Sequence, residues 1–319
     1  MPVPRSLDIV AVIGNGIIGH GVAQVFAMAG KRVRLIGRGA ESLNRAKTRI
    51  AEGLALFEDN ALIGASDADA ALARVGTSTA LEDARGAELV VEAVPEDMGL
   101  KLEIFGRLDA ICPPPTVLAS SSGHPASELV GRVRRRERVI AAHFWYPPQL
   151  LPLVEVCGGP ETAPEVVAWT CEVLREAGKE PVVIDREVPG FIGNRIQFAA
   201  LREAWSLWAA GIASAEAIDA VVRNSIGRRL GITGSIESAD LAGLETMYNF
   251  ARFLQPSLDA SPEPPAAIGD LVRRGCKSLA SGGGVHDWTK RDGEALLAER
   301  RAELIRWLKT DRDRQTRKR

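Results

Sequence analysis

Short runs of β-branched and aliphatic residues alternate with longer stretches in which apolar positions recur at three and four. The runs fall at 9–13, 32–36, 88–94, 116–119, 138–144 and 181–184. Their length and composition predict strands, and the periodicity between them predicts helices. Such alternation predicts an α/β fold with a doubly wound, mostly parallel sheet covered on both faces. The pattern stops near Val188. From Phe191, the stretches FIGNRIQFAALREAWSLWAAGI and AEAIDAVVRNSIG keep only the helical spacing, which predicts an all-helical second domain, and Pro189-Gly190 punctuates the junction. The prolines of QPSLDASPEPPAA, 255–267, predict a loop between helices of that domain. Expected boundaries are 1–187, 188–310, and a charged tail at 311–319 whose DRDRQTRKR has no apolar anchor and reads as disordered.

With 319 residues and 46 % apolar content, the chain can bury a sizeable core in two domains. Lys and Arg number 40 against 41 Asp and Glu. That balance leaves no global field for nucleic acid or an anionic membrane, so small molecules are the expected partners. Cys112, Cys157, Cys171 and Cys276 lie far apart and show no metal-ligand spacing with the four histidines. No metal site is expected, and the cysteines read as reduced, structural thiols. No apolar run approaches the ~20 residues that cross a bilayer, and no leader pattern precedes the first strand. The expectation is a cytoplasmic protein.

The first predicted strand runs into AVIGNGIIGHGVA, where Gly14, Gly16 and Gly19 form G-x-G-x-x-G around Ile17 and Ile18. After a strand and before a helix, Gly14 permits the tight turn, Gly16 lets backbone approach a pyrophosphate, and Gly19 lets helix and strand pack closely. The helix then points its amides at the phosphates. Residues 1–187 are therefore expected to bind a dinucleotide. About 20 positions on, an acidic residue would ordinarily accept hydrogen bonds from the adenine ribose of NAD. Here the second strand ends in Gly37 and Arg38. Arg38 either pairs with the 2′-phosphate of NADP, or stacks on adenine, or lies in solvent, so NAD and NADP both remain open.

Three further stretches carry candidate chemistry. In LASSSGHPASEL, Ser120, Ser121 and Ser122 follow a buried-looking strand, at the strand end where doubly wound folds bind ligands. The alternative role is a turn or helix cap. In RVIAAHFWYPPQLLPLVEVC, His143 ends one apolar run and Glu155 lies in the next, with a turn at Tyr146-Pro147-Pro148. Histidine, with an ordinary pKa near ~6.5, can take the proton of an alcohol at neutral pH, and a carboxylate behind it fixes the tautomer. A satisfied core histidine is the plainer alternative. In VPGFIGNRIQF, Asn194 opens the first helix of the second domain, either donating to a substrate carbonyl or capping the helix.

The segments AVIGNGIIGHG, VVEAVPEDMGLK, ASSSG, HFWYPPQLLPLVEV, VPGFIGNR and REAWSLWAAGIASAEAID, in order over about 8–250, resemble the L-3-hydroxyacyl-CoA dehydrogenase superfamily. Within it they are similar to the branch holding L-gulonate 3-dehydrogenase (lambda-crystallin) and related bacterial hydroxy-acid dehydrogenases. The resemblance implies a Rossmann-like domain followed by a helical substrate and dimerisation domain, and a homodimer. It implies NAD(P)-dependent oxidation of a 3-hydroxyl, with His143 as base, Glu155 as its partner, Ser122 on the substrate oxygen and Asn194 completing the site. It further implies that Glu96, Lys101 and Ser120 touch the cofactor.

Four positions depart from the family pattern. Gly37 replaces the acidic ribose ligand, Tyr146 the Asn of H-F-x-N-P, Ala280 the Lys of K-T-G-x-G-F, and Ser120 the Asn of S-N-T-S. Members acting on acyl-CoA place basic residues in the hairpin after the second strand. Here residues 51–76 carry Glu52, Glu58, Asp59, Asp67 and Asp69 against Arg74, which favours a small free 3-hydroxy acid over a CoA thioester unless the acids are only a solvated face. Two other readings stay open: a non-catalytic dinucleotide-binding member, and a dehydrogenase of the lysine-based 3-hydroxyisobutyrate type. The latter needs a lysine on the helix after Pro189, and PGFIGNRIQFAALREA has none.

Overall fold

In the computed structural model, residues 3–318 are described, with side chains described to Arg314. The elements in order are β1 (Ile9–Ile13), α1 (Gly19–Met28), β2 (Arg32–Ile36), α2 (Ala40–Asp59), α3 (Ala65–Ala73), β3 (Val75–Ser78), β4 (Leu89–Glu92), α4 (Met98–Ile111), β5 (Val117–Ser120), α5 (Ala126–Leu129), β6 (Val139–Phe144), β7 (Leu153–Gly158), α6 (Pro164–Glu176) and β8 (Glu180–Val183). The helices α7 (Gly193–Ala209), α8 (Ala215–Asn224), α9 (Ile226–Leu230), α10 (Ser235–Ala242), α11 (Leu244–Leu254), α12 (Ala266–Arg273) and α13 (Gly293–Lys318) follow. No described helix is long and apolar enough to cross a membrane.

The strands form one sheet in the order β3-β2-β1-β4-β5-β6-β7-β8. Strands β1 to β6 are mutually parallel, β7 runs antiparallel to β6, and β8 pairs parallel with β7. Because successive strand side chains point to opposite faces, β1 feeds two cores. Val10 and Val12 pack with Phe26 of α1, Ile50 of α2 and Trp169 of α6. Ala11 and Ile13 pack with Phe105 and Leu108 of α4 and Leu129 of α5. Strands buried on both faces read as continuous apolar runs, and this is why β1, Ile-Val-Ala-Val-Ile, was legible to the residue. Order reverses between β1 and β4, leaving a crevice at their carboxyl ends.

The chain divides into a unit of residues 1–194 with 300–319, and a second unit of 195–299. The first division thus falls seven residues beyond the expected 187/188. The disordered tail is corrected for 311–318: α13 continues to Lys318, and residue 319 lies outside the described residues. Ile305 of this helix is buried against Phe57, Leu62 and Leu150, Lys309 donates to Asn60 Oδ1, and Arg312 donates to the Leu62 carbonyl. A tail without apolar residues is held here by the apolar turn just before it and by backbone hydrogen bonding, neither visible in its own composition.

Candidate functional site

The chain leaves β1 through Gly14, whose φ of +106° lies where L side chains rarely go. A Cβ on Gly14 would sit 2.4 Å from Ala93 O, and one on Gly19 1.9 Å from Gly14 O, whereas Gly16 has open space around it. Helix α1 starts with no capping side chain and no acidic residue in its first turn, so its amide dipoles stay available to an anion. The turn opens into a cavity of about 780 Å³ lined by Gly14, Gly16, Ile17, Ile18, Gly37, Arg38 and Glu96. Asn15, Ile36, Ala93 and Ile104 also line it. Bare backbone for a pyrophosphate beside aliphatic walls for rings fits a dinucleotide.

Of the expected cofactor residues, Gly19 serves the helix–strand approach, while Lys101 and Ser120 do not line the cavity. Both are drawn inward by Glu92, a fully buried carboxylate at the end of β4. Glu92 accepts from Lys101 Nζ at 3.0 Å, Ser120 Oγ at 2.7 Å and the Val94 amide at 2.7 Å. Lys101 also lies 3.4 Å from Glu96. A buried charge demands such partners. Sequence reasoning missed Glu92, although an acid inside an apolar run was the available signal.

His143 lies at the carboxyl end of β6, and the antiparallel register sets it directly opposite Glu155 of β7. Its Nδ1 is 2.8 Å from Glu155 Oε2, which assigns the proton to Nδ1 and the lone pair to Nε2. Nε2 has no hydrogen-bond partner among the described residues, and the side chain keeps 11 % of its surface exposed. Phe191 and Trp145 flank the imidazole, with ring centroids 5.9 and 5.6 Å away. Glu155 is saturated: Oε2 also accepts from Trp145 Nε1 at 3.1 Å, and Oε1 from the Ile192 and Gly193 amides at 3.0 and 2.9 Å. Burial is the largest influence and acts to raise the Glu155 pKa. Hydrogen bonds from His143, the Gly193 backbone and Trp145, with the nearby imidazole charge, hold it below the ordinary 4.5.

Those two amides open α7, so Glu155 supplies the anionic cap that Asn194 was free to provide. Asn194 instead turns its amide toward the serine loop, 3.3 Å from where a Gly123 Cβ would be. The Gly190 amide donates to Gly123 O at 3.0 Å, which ties the two loops together. Ser122 precedes Gly123, is buried, and accepts from the His124 amide at 3.2 Å. Strand register pairs Ser120 with Ala141, so Ser122 and His143 each lie two residues past a paired position. Trp145 and the left-handed Phe191, φ +49°, were not anticipated; no spacing rule marks an indole donor or a loop that reads as helix.

Residues 9–188 match the family model described as 3-hydroxyacyl-CoA dehydrogenase, NAD binding domain. Residues 190–288 match the model of the 3-hydroxyacyl-CoA dehydrogenase C-terminal domain. L-carnitine dehydrogenase of Streptomyces griseus is 35 % identical over 93 % of this chain and 88 % of its own. Lambda-crystallin of Oryctolagus cuniculus is 34 % identical over 76 % of each. Among solved structures, an enzyme described as 5-formyl-3-hydroxy-2-methylpyridine 4-carboxylic acid 5-dehydrogenase, an NAD+ dependent dismutase, superposes with a TM-score of 0.86. It shares 28 % identity over 94 % of this chain and 97 % of that one.

Proposed function

Since this chain belongs to the 3-hydroxyacyl-CoA dehydrogenase family, we propose that it oxidises the secondary 3-hydroxyl of a 3-hydroxy acid to the 3-oxo product, with His143 as general base. It is an NAD-dependent oxidoreductase acting on a CH–OH group. Bound NAD supplies the hydride acceptor. The observation that carries the reading is the Nδ1 contact of His143 with Glu155, which leaves Nε2 unshared. Nε2 takes the hydroxyl proton, and the Glu155 carboxylate stabilises the imidazolium that results. Ser122 and the Asn194 amide donate to the substrate oxygen as negative charge develops on it. Gly14, Gly16 and the start of α1 hold the pyrophosphate. The test is a titration with NADH followed by a panel of free 3-hydroxy acids and 3-hydroxyacyl-CoA thioesters, read as NADH formation. Absence of NADH binding would remove the reading.

A free acid is favoured over a CoA thioester because Glu52, Glu58, Asp59, Asp67 and Asp69 are all exposed across residues 51–76, the distal part of the α2–α3 hairpin, where the only Lys or Arg is Arg74. That surface repels a polyphosphate. L-carnitine dehydrogenase, a relative named for a substrate without CoA, supports the same choice. The assembled His143–Glu155 pair argues against a non-catalytic member, and α7 holds no lysine for the alternative dehydrogenase chemistry.

Homodimerisation through the second unit is part of the proposal. Helices α7 to α12 contain no buried residue. Ile236, Leu241 and Phe253 are 80, 78 and 76 % exposed. Apolar surface of this extent is ordinarily covered by a partner, and a second copy is the simplest one. The four cysteines are free, which supports a reducing, cytoplasmic setting.

A further inference from the structure

At the end of β2 the structure replaces the ribose-binding acid with a different surface, and from it we infer that the coenzyme cavity also accepts the 2′-phosphate of NADP, gripped by Arg38. The inference rests on the dinucleotide reading of that cavity. A Cβ on Gly37 would lie 2.8 Å from Asn15 Oδ1, 2.9 Å from Asn15 Cγ and 3.1 Å from Leu43 Cδ2. Asn15 is held there by its own contact, Nδ2 donating to Ser42 Oγ at 2.9 Å, while Ser42 Oγ donates to Gly39 O at 2.8 Å. No carboxylate can stand at position 37 without dislodging this set. A carboxylate there is the group that would repel a 2′-phosphate and reward a free 2′-hydroxyl.

Arg38, the next residue, is exposed, lines the same cavity, and makes no hydrogen bond or ion pair with any described residue. The other arginine of the cavity wall, Arg107, is engaged by Glu82 at 2.9 Å. Glu96 on the wall lies 3.4 Å from the buried Lys101 Nζ. Arg38 is therefore the cation on that wall whose donors are unspent, and a guanidinium meets a phosphate with two parallel donors. Immediately after it, the 20-residue helix α2 begins at Ala40 behind Gly39 with no side-chain cap, and Glu41, the one acid of its first turn, is paired with Arg45. Its first amides add positive potential on the same side of the turn. An exposed strand-end arginine, an uncapped helix start and a filled acid position thus converge where the adenine ribose of a dinucleotide lies relative to a G-x-G-x-x-G turn.

The experiment is fluorescence titration of the full chain with NADH and NADPH at matched ionic strength, repeated for Arg38→Ala and Arg38→Lys. Expected is a wild-type Kd for NADPH within about tenfold of that for NADH. Arg38→Ala should raise the NADPH Kd by about tenfold or more, the scale of one lost charge-assisted contact, while moving the NADH Kd by less than about threefold. Arg38→Lys should restore part of the loss. Competition by 2′,5′-ADP but not 5′-AMP, abolished in Arg38→Ala, would locate the effect at the 2′-phosphate. NADH binding with NADPH weaker by more than about tenfold overturns the inference alone. Equal weakening of both coenzymes by Arg38→Ala also overturns it, because it shows adenine stacking. Failure of both coenzymes to bind overturns the dinucleotide reading with it.

Discussion

His143 and Glu155 face one another across an antiparallel strand pair, and the side chains close a 2.8 Å contact at the same register position. The geometry is therefore set by the sheet rather than by a flexible loop. Replacing His143 by Gln keeps a polar group of similar reach but removes the proposed proton acceptor. His143→Gln is expected to lower kcat by about two to four orders of magnitude, the usual range for a lost general base, with NADH affinity unchanged by titration.

Trp145 donates to the same oxygen that serves His143. Trp145→Phe keeps the ring but frees that oxygen to interact more strongly with a protonated imidazole. The acidic limb of the kcat/KM profile is expected to move to higher pH, with KM for the coenzyme unchanged. A profile that does not move would reduce Trp145 to packing.

The depressed pKa of Glu155 has a signed consequence for stability. A carboxyl held below its unfolded value contributes stability that is complete above about 4.5 and is lost as pH falls through the folded value. Glu155→Gln lacks this contribution. The stability gap between wild type and Glu155→Gln, from urea unfolding at a series of pH values, is expected to narrow as pH falls below that point.

Lys101 separates a structural role from a cofactor role. Lys101→Met leaves Glu92 buried without its cation, which is expected to cost about 3 to 5 kcal/mol of folding stability. NADH affinity of the folded fraction should stay near wild type. A large loss of affinity at unchanged Tm would return Lys101 to the coenzyme.

The proposed dimer gives a mass of twice 34.2 kDa in light scattering. Charging two of its exposed apolar positions, Leu241→Glu with Phe253→Glu, is expected to yield monomer. A wild-type monomer would leave the bare surface of α8 to α11 to another partner.

Much of this was legible in the chain because the central strands are buried on both faces. The run at 9–13 could be only a strand, and Gly14 and Gly19 stand where backbone leaves no room for a Cβ. Strand β3 escaped notice because Val-Gly-Thr-Ser is short and half polar, at the sheet edge where burial imposes no pattern. The His143–Glu155 pairing followed from one turn between two apolar runs. Trp145 and the amides of Ile192 and Gly193 did not follow, since hydrogen bonds between distant strands and loops leave no local periodicity. Lys101 and Ser120 do not line the cavity because Glu92, a buried acid, holds both through its own hydrogen bonds.

The C-terminal stretch makes the first unit discontinuous, assembled from 1–194 and 300–319 with 105 residues between. A fragment ending at Asn194 is thus not a self-sufficient nucleotide module, because Phe57, Leu62 and Leu150 would lose Ile305 and be wetted. Anyone wishing to isolate that half should splice the two segments through a short linker rather than truncate, and should keep bulky fusions away from the far end of the last helix.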